Sequence, residues 1–171
     1  MKFQFAALAG ARRDESPKTE KILQAARRLL IRQGFSTFSA RGVAKEAKVS
    51  LGALQYCYRT KQSLMTATLE YVVNRYEIGY QKVLRTAPAG GKARFLSILD
   101  YLISDVWDQD SRKLFLGLWG MSSHDPLAAE LVREMYRFHA ERLSDFLSEA
   151  NPELPEQRRR QLAVHIVAML E

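Results

Sequence analysis

The residues between positions 50 and 61 carry side chains suited to recognising a nucleic acid. The amide of Gln55 can bind adenine N6 and N7 together, and an exposed Leu51 can contact the methyl group of thymine. Lys61 falls at the predicted start of a helix, where a cation opposes the helix dipole unless a phosphate lies nearby. The alternatives are a solvated glutamine and an ordinary surface lysine, and these residue types alone leave both open.

Two short helices separated by a tight turn must position these side chains. Ser39 is predicted to cap a helix that runs through Ala47, and Ser50 to cap another over residues 51–57, with residues 48–49 as the turn. This order is typical of a helix-turn-helix, whose second helix enters the major groove of DNA. The pattern therefore favours a DNA-reading helix over residues 51–57.

The positive charge of the chain is concentrated in the same region. Residues 1–62 contain thirteen lysines and arginines and four acidic residues, whereas residues 63–171 contain thirteen and fifteen. Basic side chains placed along phosphates release condensed counterions, so this asymmetry indicates a polyanionic partner. A solvated basic face is the alternative that charge alone leaves open.

The rest of the chain also has a helical period, and the fold class is predicted to be all-α. The first helix begins after Ser16 and ends at Gly34, and a long fourth helix runs from Lys61 to about Arg85. We expect a flexible leader over residues 1–15, a helix-turn-helix domain over 16–60, and a helical bundle over 61–171. The eighth helix stops in mid-pattern, which suggests truncation.

Three segments together resemble the signature of the tetracycline-repressor (TetR) family: Gly34–Phe35, Ser39–Ala44 and Ala47–Lys61. The resemblance covers roughly residues 16–70. It departs from the family pattern at Lys48, where the family usually has glycine, at Gln55 in place of an aromatic residue, and at Cys57 in place of histidine. A left-handed conformation at Lys48 would cost about 1 to 2 kcal/mol.

The resemblance implies a regulator that binds double-stranded operator DNA as a homodimer, usually as a repressor. It assigns base and phosphate contacts to the reader helix, residues 51–57, and to the start of the fourth helix. Two further residues approach phosphate from the preceding helix, which Ser39 caps. On this sequence the first group is Ser50, Leu51, Gly52, Ala53, Gln55, Tyr56 and Lys61, and the second is Ser39 and Arg41.

The C-terminal part is predicted to be a bundle with an apolar pocket. The candidate lining residues are Phe95, Tyr101, Trp107, Phe115, Trp119, Met121, Tyr136 and His139. Each of them could equally be a core residue, and His139 could be a satisfied core histidine. In the TetR family this region binds a small effector and dimerises, so we expect a small apolar effector and a palindromic operator. Residues 115–146 are faintly similar to the choline-responsive (BetI-type) branch.

Two other classes of function fit the sequence less well. An enzyme would need motifs that the sequence lacks, such as G-x-G-x-x-G, a P-loop, G-x-S-x-G or H-E-x-x-H. A helical interaction module without DNA would leave the basic N-terminal third unexplained. We expect no catalytic residues, no metal and no cofactor. The single cysteine and the lack of an apolar run of about 20 residues favour the cytoplasm and no membrane partner.

Overall fold

The computed structural model describes residues 16–170, and all the regular secondary structure in that range is α-helical. The predicted all-α fold, with a helix-turn-helix followed by a helical bundle, is confirmed. The predicted leader, residues 1–15, lies outside the described residues. The helices are α1 (Pro17–Gln33), α2 (Ala40–Ala47), α3 (Leu51–Cys57), α4 (Lys61–Thr86), α5 (Gly91–Trp107), α6 (Gln109–Ser122), α7 (Pro126–Ala150) and α8 (Glu156–Met169).

The first three helices begin at the serine caps that the sequence predicts. The hydroxyl oxygen of Ser16 accepts a hydrogen bond from the amide of Thr19, and Pro17 occupies the first helical position. Ser39 and Ser50 cap α2 and α3 in the same way. Each cap satisfies one of the amides that a helix N-terminus leaves without an intrahelical partner. Local sequence therefore fixes where these helices start.

One compact unit contains residues 16–74 and Lys113–Leu131. Its buried residues come from α1 to α3 and the connection between α1 and α2, from the first part of α4, from α6 and from the start of α7; they include Ile22, Leu30, Phe38, Val43, Leu54, Leu64 and Leu118. On the surface, the Arg28 Nε and Arg32 Nη2 atoms lie 3.2 and 2.7 Å from the Glu46 carboxylate. These pairs link α1 to α2, and the Arg32 hydrogen bond, followed by that of Arg28, lowers the pKa of Glu46.

The second compact unit contains Arg75–Arg112 and residues 132–170. Its fully buried side chains include Tyr80, Ile98 and Leu143. A bidentate ion pair joins Arg142 of α7 to Glu77 of α4, with Arg142 Nε 2.9 Å from Glu77 Oε2. The same guanidinium lies 5.1 Å from the centroid of the Phe146 ring. The expected functional division at residue 60 stays a prediction, because a compact unit need not coincide with a functional domain.

The turn between α2 and α3 places Lys48 in the left-handed region, with φ 54° and ψ 48°. Lys48 is the only non-glycine residue with positive φ in the described part of the chain. Its amide donates to the carbonyls of Ala44 and Lys45, which closes α2 and turns the backbone toward α3. Lys48 therefore has the left-handed backbone conformation that carries an energetic cost for a non-glycine residue. Glycine, which the TetR family usually has here, adopts this conformation more readily.

We expect Lys48→Gly to stabilise the protein by up to about 1 kcal/mol, because removing Cβ relieves the left-handed strain and only part of the gain is lost to backbone entropy. Lys45→Gly is the matched control. Lys45 lies inside α2, so that substitution should destabilise by about 1 kcal/mol. Urea denaturation measures both changes. A Lys48→Gly protein less stable than the parent would show that the turn is not strained.

Candidate functional site

Helix α3 is held in the first unit by one fully buried side chain and leaves most of its surface exposed. Leu54 is its only fully buried residue, whereas Gln55 is exposed and Tyr56 is 87% exposed. Gly52 is also exposed, and Leu51 and Ala53 are half-buried. A helix anchored along one line of side chains can present the opposite face to a groove in DNA. The predicted reader residues therefore lie on the exposed part of α3 or at its margins.

The two serines predicted to contact DNA also act as caps. The Oγ of Ser39 accepts from the amide of Gly42 at 3.2 Å, and the Oγ of Ser50 accepts from the amide of Ala53 at 3.1 Å. Each hydroxyl keeps its own hydrogen for donation, because capping uses only its oxygen as an acceptor. Both serines are exposed, as is Arg41 in the first turn of α2. Capping and phosphate contact are therefore compatible at these positions.

Lys61 is exposed at the first position of α4. A reciprocal cap precedes it: the Ser63 amide donates to Thr60 Oγ1 at 2.9 Å, and the Thr60 amide donates to Ser63 Oγ at 3.2 Å. This cap fixes the helix start and places the lysine at the positive end of the helix dipole. An anion beside Lys61 would offset that unfavourable position.

The packing of the described residues does not require glycine at position 52. A Cβ atom built at this position meets nothing within 4 Å in the part of the chain that the structure describes, and the residue lies within α3. A glycine inside a helix is less favourable than alanine by about 1 kcal/mol. The fold alone gives no reason for glycine here, whereas close approach of a DNA backbone would give one.

A cluster of aromatic and polar side chains, referred to as the tyrosine cluster, lies in the second unit between α4, α5 and α7. Tyr76 donates a hydrogen bond to Asp105, which also accepts from Ser111 Oγ at 3.0 Å. The Tyr80 hydroxyl oxygen lies 2.9 Å from His139 Nδ1. Burial, followed by the Asp105 charge, raises the pKa of Tyr76, and burial also raises that of Tyr80. Both phenols are therefore neutral at neutral pH.

Burial lowers the pKa of His139 to about 4. The imidazole is therefore neutral at neutral pH, and its Nδ1 atom shares a hydrogen bond with the Tyr80 hydroxyl. The ring meets Tyr76 edge-on, with centroids 4.8 Å apart. His139 is therefore buried with its Nδ1 atom hydrogen-bonded, as a core histidine would be. The sequence left this alternative open beside a role in ligand binding.

The predicted pocket residues fall into different parts of the structure. Tyr101 and His139 belong to the tyrosine cluster, with the Tyr101 ring 5.8 Å from that of Tyr80. Trp107 is 72% exposed, so the structure does not bring it into the cluster. The other members are all half-buried: Phe95 and Tyr136 in the second unit, and Phe115, Trp119 and Met121 in the first.

Trp119 is the only tryptophan of the first unit, and its Nε1 atom is buried without a hydrogen-bond partner among the described residues. Tyr136, in the second unit, lines a groove of about 780 Å³ between α7 and α8 together with Ala140, Val164 and Val167. The pocket role of all eight residues stays a prediction.

Comparison with known proteins agrees with this geometry. Residues 22–68 match the family model described as "Bacterial regulatory proteins, tetR family". This segment of the chain is a TetR-family DNA-binding domain. A curated relative, the HTH-type transcriptional regulator BetI of Escherichia coli O17:K52:H18, is 23% identical over 159 residues, which span 92% of this chain and 80% of the relative. The TetR-family assignment makes this chain a helix-turn-helix transcriptional regulator, and the relatives are regulators rather than enzymes.

Two solved structures show the same fold. E. coli NemR in its reduced form is 18% identical and superposes with a TM-score of 0.75, over 90% of this chain and 83% of NemR. A transcriptional regulator from Saccharomonospora viridis in complex with choline is also 18% identical, with a TM-score of 0.70, over 89% of this chain and 80% of that one. The TetR-family fold of this chain therefore extends beyond the segment that the family model matches.

Several partners in the tyrosine cluster were missed at the level of sequence. Tyr76, Tyr80 and Asp105 were not among the predicted site residues. The one available signal was the spacing of Tyr76 and Tyr80, which stand four residues apart on one face of a helix. Within residues 16–170 no group of three or more metal-ligating side chains could hold a metal ion, and no helix is long and apolar enough to cross a membrane.

The lowered pKa of His139 predicts a specific loss of stability in acid. The unfolded histidine protonates near pH 6.5 and the folded one near pH 4, so protonation favours unfolding between these values. The contribution of His139 is complete above pH 6.5 and is lost as the pH falls toward 4, by at most about 3 kcal/mol.

His139→Gln keeps an acceptor for Tyr80 but does not titrate, so its stability should fall less over this pH range. Urea denaturation at several pH values gives the difference in the free energy of unfolding between the two proteins. The carboxylates are the same in both, so their titration cancels in this difference. Parallel curves for the two proteins would contradict the lowered pKa.

Proposed function

We propose that this chain is a transcriptional repressor that binds a palindromic operator as a homodimer and is released by a small-molecule effector. In this proposal residues 16–60 form the DNA-binding domain and residues 61–171 form the domain that binds the effector and dimerises. The protein works in the cytoplasm, where DNA is accessible and its single cysteine stays reduced.

The observation that carries the proposal is the exposure of α3. Only Leu54 is fully buried in this helix, while Gln55 and Tyr56 lie on its exposed part. A Gln side chain reads adenine in the major groove, and a tyrosine hydroxyl can donate to phosphate. We assign base contacts to Leu51, Gly52, Ala53 and Gln55.

Phosphate contacts are assigned to Ser39, Arg41, Ser50, Tyr56 and Lys61. Exposure supports this assignment for all five. Arg28 and Arg32 are engaged by Glu46, so their charge is partly neutralised within the fold. Fewer basic side chains are therefore fully available to phosphate than the number of lysines and arginines suggests.

A dimer is required to read a palindrome, because one short helix spans few base pairs. Two-fold-related reader helices about 34 Å apart would enter successive major grooves. We place the dimer interface on α7 and α8, where Val164 and Met169 are 57% and 78% exposed. Apolar side chains left in water on one helix favour burial against a second copy.

The effector is proposed to be a small, largely apolar molecule bound among α4 to α7. Choline in the Saccharomonospora viridis structure supports a small-molecule site in a fold of this kind. The helix α4 is continuous from Lys61 to Thr86, a length of about 39 Å, so a tilt at one end displaces the other. An effector that prefers the tilted state weakens operator binding, and operator must weaken effector binding by the same factor.

The phosphate role of Lys61 predicts a change in salt dependence. Lys61→Ala should weaken binding to all DNA sequences alike and reduce the slope of log affinity against log salt by about one, since one phosphate contact is lost. Lys82→Ala, an exposed lysine near the other end of α4, is the control and should leave the slope unchanged. Fluorescence anisotropy over a salt series provides both slopes. Equal slopes for Lys61→Ala and the parent would remove Lys61 from the interface.

The open space beside Gly52 predicts that stability and binding change in opposite directions. Gly52→Ala should raise stability by up to about 1 kcal/mol, because alanine favours a helix, and should lower operator affinity, because the added methyl group occupies space needed by DNA. Gly120→Ala, which also faces open space but on α6, should leave operator affinity unaltered. Undiminished operator binding by Gly52→Ala would show that DNA does not approach this part of α3.

A further inference from the structure

Helix α5 carries large apolar side chains on two opposite faces. Ile98 and Leu102 are buried in the second unit. On the opposite face, Leu96, Ile103 and Trp107 are 49%, 45% and 72% exposed. A helix that packs on a core with one face normally presents polar residues on the other. The outer face of α5 is therefore not that of a helix that meets only water.

The three exposed residues form a single line, referred to as the α5 stripe. Ile103 follows Leu96 by seven residues, and Trp107 follows Ile103 by four. At 3.6 residues per turn, all three lie within about 20° of one line along the helix, over a length of about 17 Å. Apolar side chains that are grouped in this way on a surface mark an interaction site.

The α5 stripe is held in a fixed orientation within the second unit. Behind it, the Tyr101 hydroxyl lies against the backbone of Gly79 in α4 and leaves no room for a Cβ atom there. At the start of α5, Gly91 is packed in the same way against the backbone carbonyl of Glu149, near the end of α7. The stripe is therefore preformed, and a partner that docks on it orders little backbone.

Charged side chains flank the α5 stripe. Lys92 is exposed four residues before Leu96, so it lies near the N-terminal end of the same line. Lys92 forms no ion pair with any described residue. Asp100 is exposed beside the middle of the stripe. This face therefore offers a free ammonium group at one end and the Trp107 ring at the other.

A second copy of α5 complements this face when it lies antiparallel. In a two-fold pair every contact occurs twice, once in each direction. If Leu96 of one copy faces the partner's Ile103, then Lys92 faces the partner's Trp107, because both pairs have the same midpoint, between residues 99 and 100. An ammonium group is attracted to the face of a tryptophan ring. A parallel pair would instead place the two Lys92 side chains opposite each other.

We propose that the α5 stripe is a self-association surface, on which a second copy of this chain docks antiparallel about a two-fold axis between residues 99 and 100. The surface is distinct from the α7 and α8 face that the proposed homodimer uses, and it requires no property of the reader helix. Two different two-fold interfaces on one chain join four copies into a tetramer when the assembly closes.

Cysteine cross-linking tests the register directly. The background is Cys57→Ser, which removes the one cysteine of the chain. In this background, Leu96→Cys protein mixed with Ile103→Cys protein should form a disulfide-linked dimer under mild oxidation. Each protein alone should form almost none. Like residues lie seven positions apart across the axis, about 10 Å along the helix, whereas the Cα atoms of a disulfide are at most about 7 Å apart.

The matched cross-linking control uses an exposed isoleucine outside the stripe. Ile78 is 68% exposed on α4. Ile78→Cys protein mixed with Leu96→Cys protein, in the same Cys57→Ser background, should also form almost no disulfide-linked dimer.

Sedimentation equilibrium of the intact chain, without DNA, measures the strength of self-association. Ile103→Asp places an unpaired charge in the interface on both copies, so association should weaken by about tenfold or more. Ile78→Asp makes the same change outside the stripe and should match the parent. If Ile103→Asp does not fold, as judged by its helical circular dichroism, Lys92→Ala replaces it. Loss of the ammonium group from the partner's Trp107 ring should weaken association by about 2- to 5-fold.

The position of the axis also predicts the effect of a change at Asp100. The two Asp100 carboxylates approach each other beside the axis, on the same edge of the paired helices, and repel. Asp100→Asn removes this repulsion and should strengthen association at low salt by up to about fivefold.

Two results would overturn the inference. One is a mixture of the Leu96→Cys and Ile103→Cys proteins that forms no more cross-linked dimer than either protein alone. The other is equal self-association of Ile103→Asp and the parent, or of Lys92→Ala and the parent where Lys92→Ala replaces it. Weaker association of Asp100→Asn than of the parent would exclude the antiparallel register.

Discussion

The burial of Leu54 is the constraint on which the rest of this structure depends. A helix of seven residues is too short to be stable alone, and α3 must still leave most of its surface exposed. One fully buried leucine, a serine cap and a tight turn from α2 replace the broad apolar face that an ordinary helix buries. The position of α3 therefore depends on α2, which two ion pairs at Glu46 join to α1 and the Lys48 turn joins to α3.

The basic charge of the N-terminal region has two distinct roles. Arg28 and Arg32 pair with Glu46 on the surface and hold its carboxylate in the ionised form. Arg41 and Lys61 are exposed beside the reader helix. A count of charges predicts a polyanionic partner but cannot separate these roles, because the separation depends on which arginines reach an acidic side chain across two helices.

Features set by neighbouring residues were predicted from the sequence, and features set by distant residues were not. The caps at Ser16, Ser39 and Ser50 each depend on an amide three residues away, so local spacing was sufficient. The tyrosine cluster joins residues 29 and 59 positions apart, and no periodicity within one helix specifies such pairs. Trp107 was predicted to line an apolar pocket and is nevertheless 72% exposed, since its residue type cannot show whether a neighbouring helix covers that position.

Selection of bound DNA from a random-sequence library, with the intact chain, tests the central claim most directly. If α3 reads DNA in a two-fold dimer, the enriched sequences will contain a palindrome whose half-sites lie about one helical turn, or a whole number of turns, apart. They will also compete for the protein far better than scrambled DNA at the same salt concentration. A bound pool with no enriched sequence relative to the starting library would contradict sequence-specific recognition by α3.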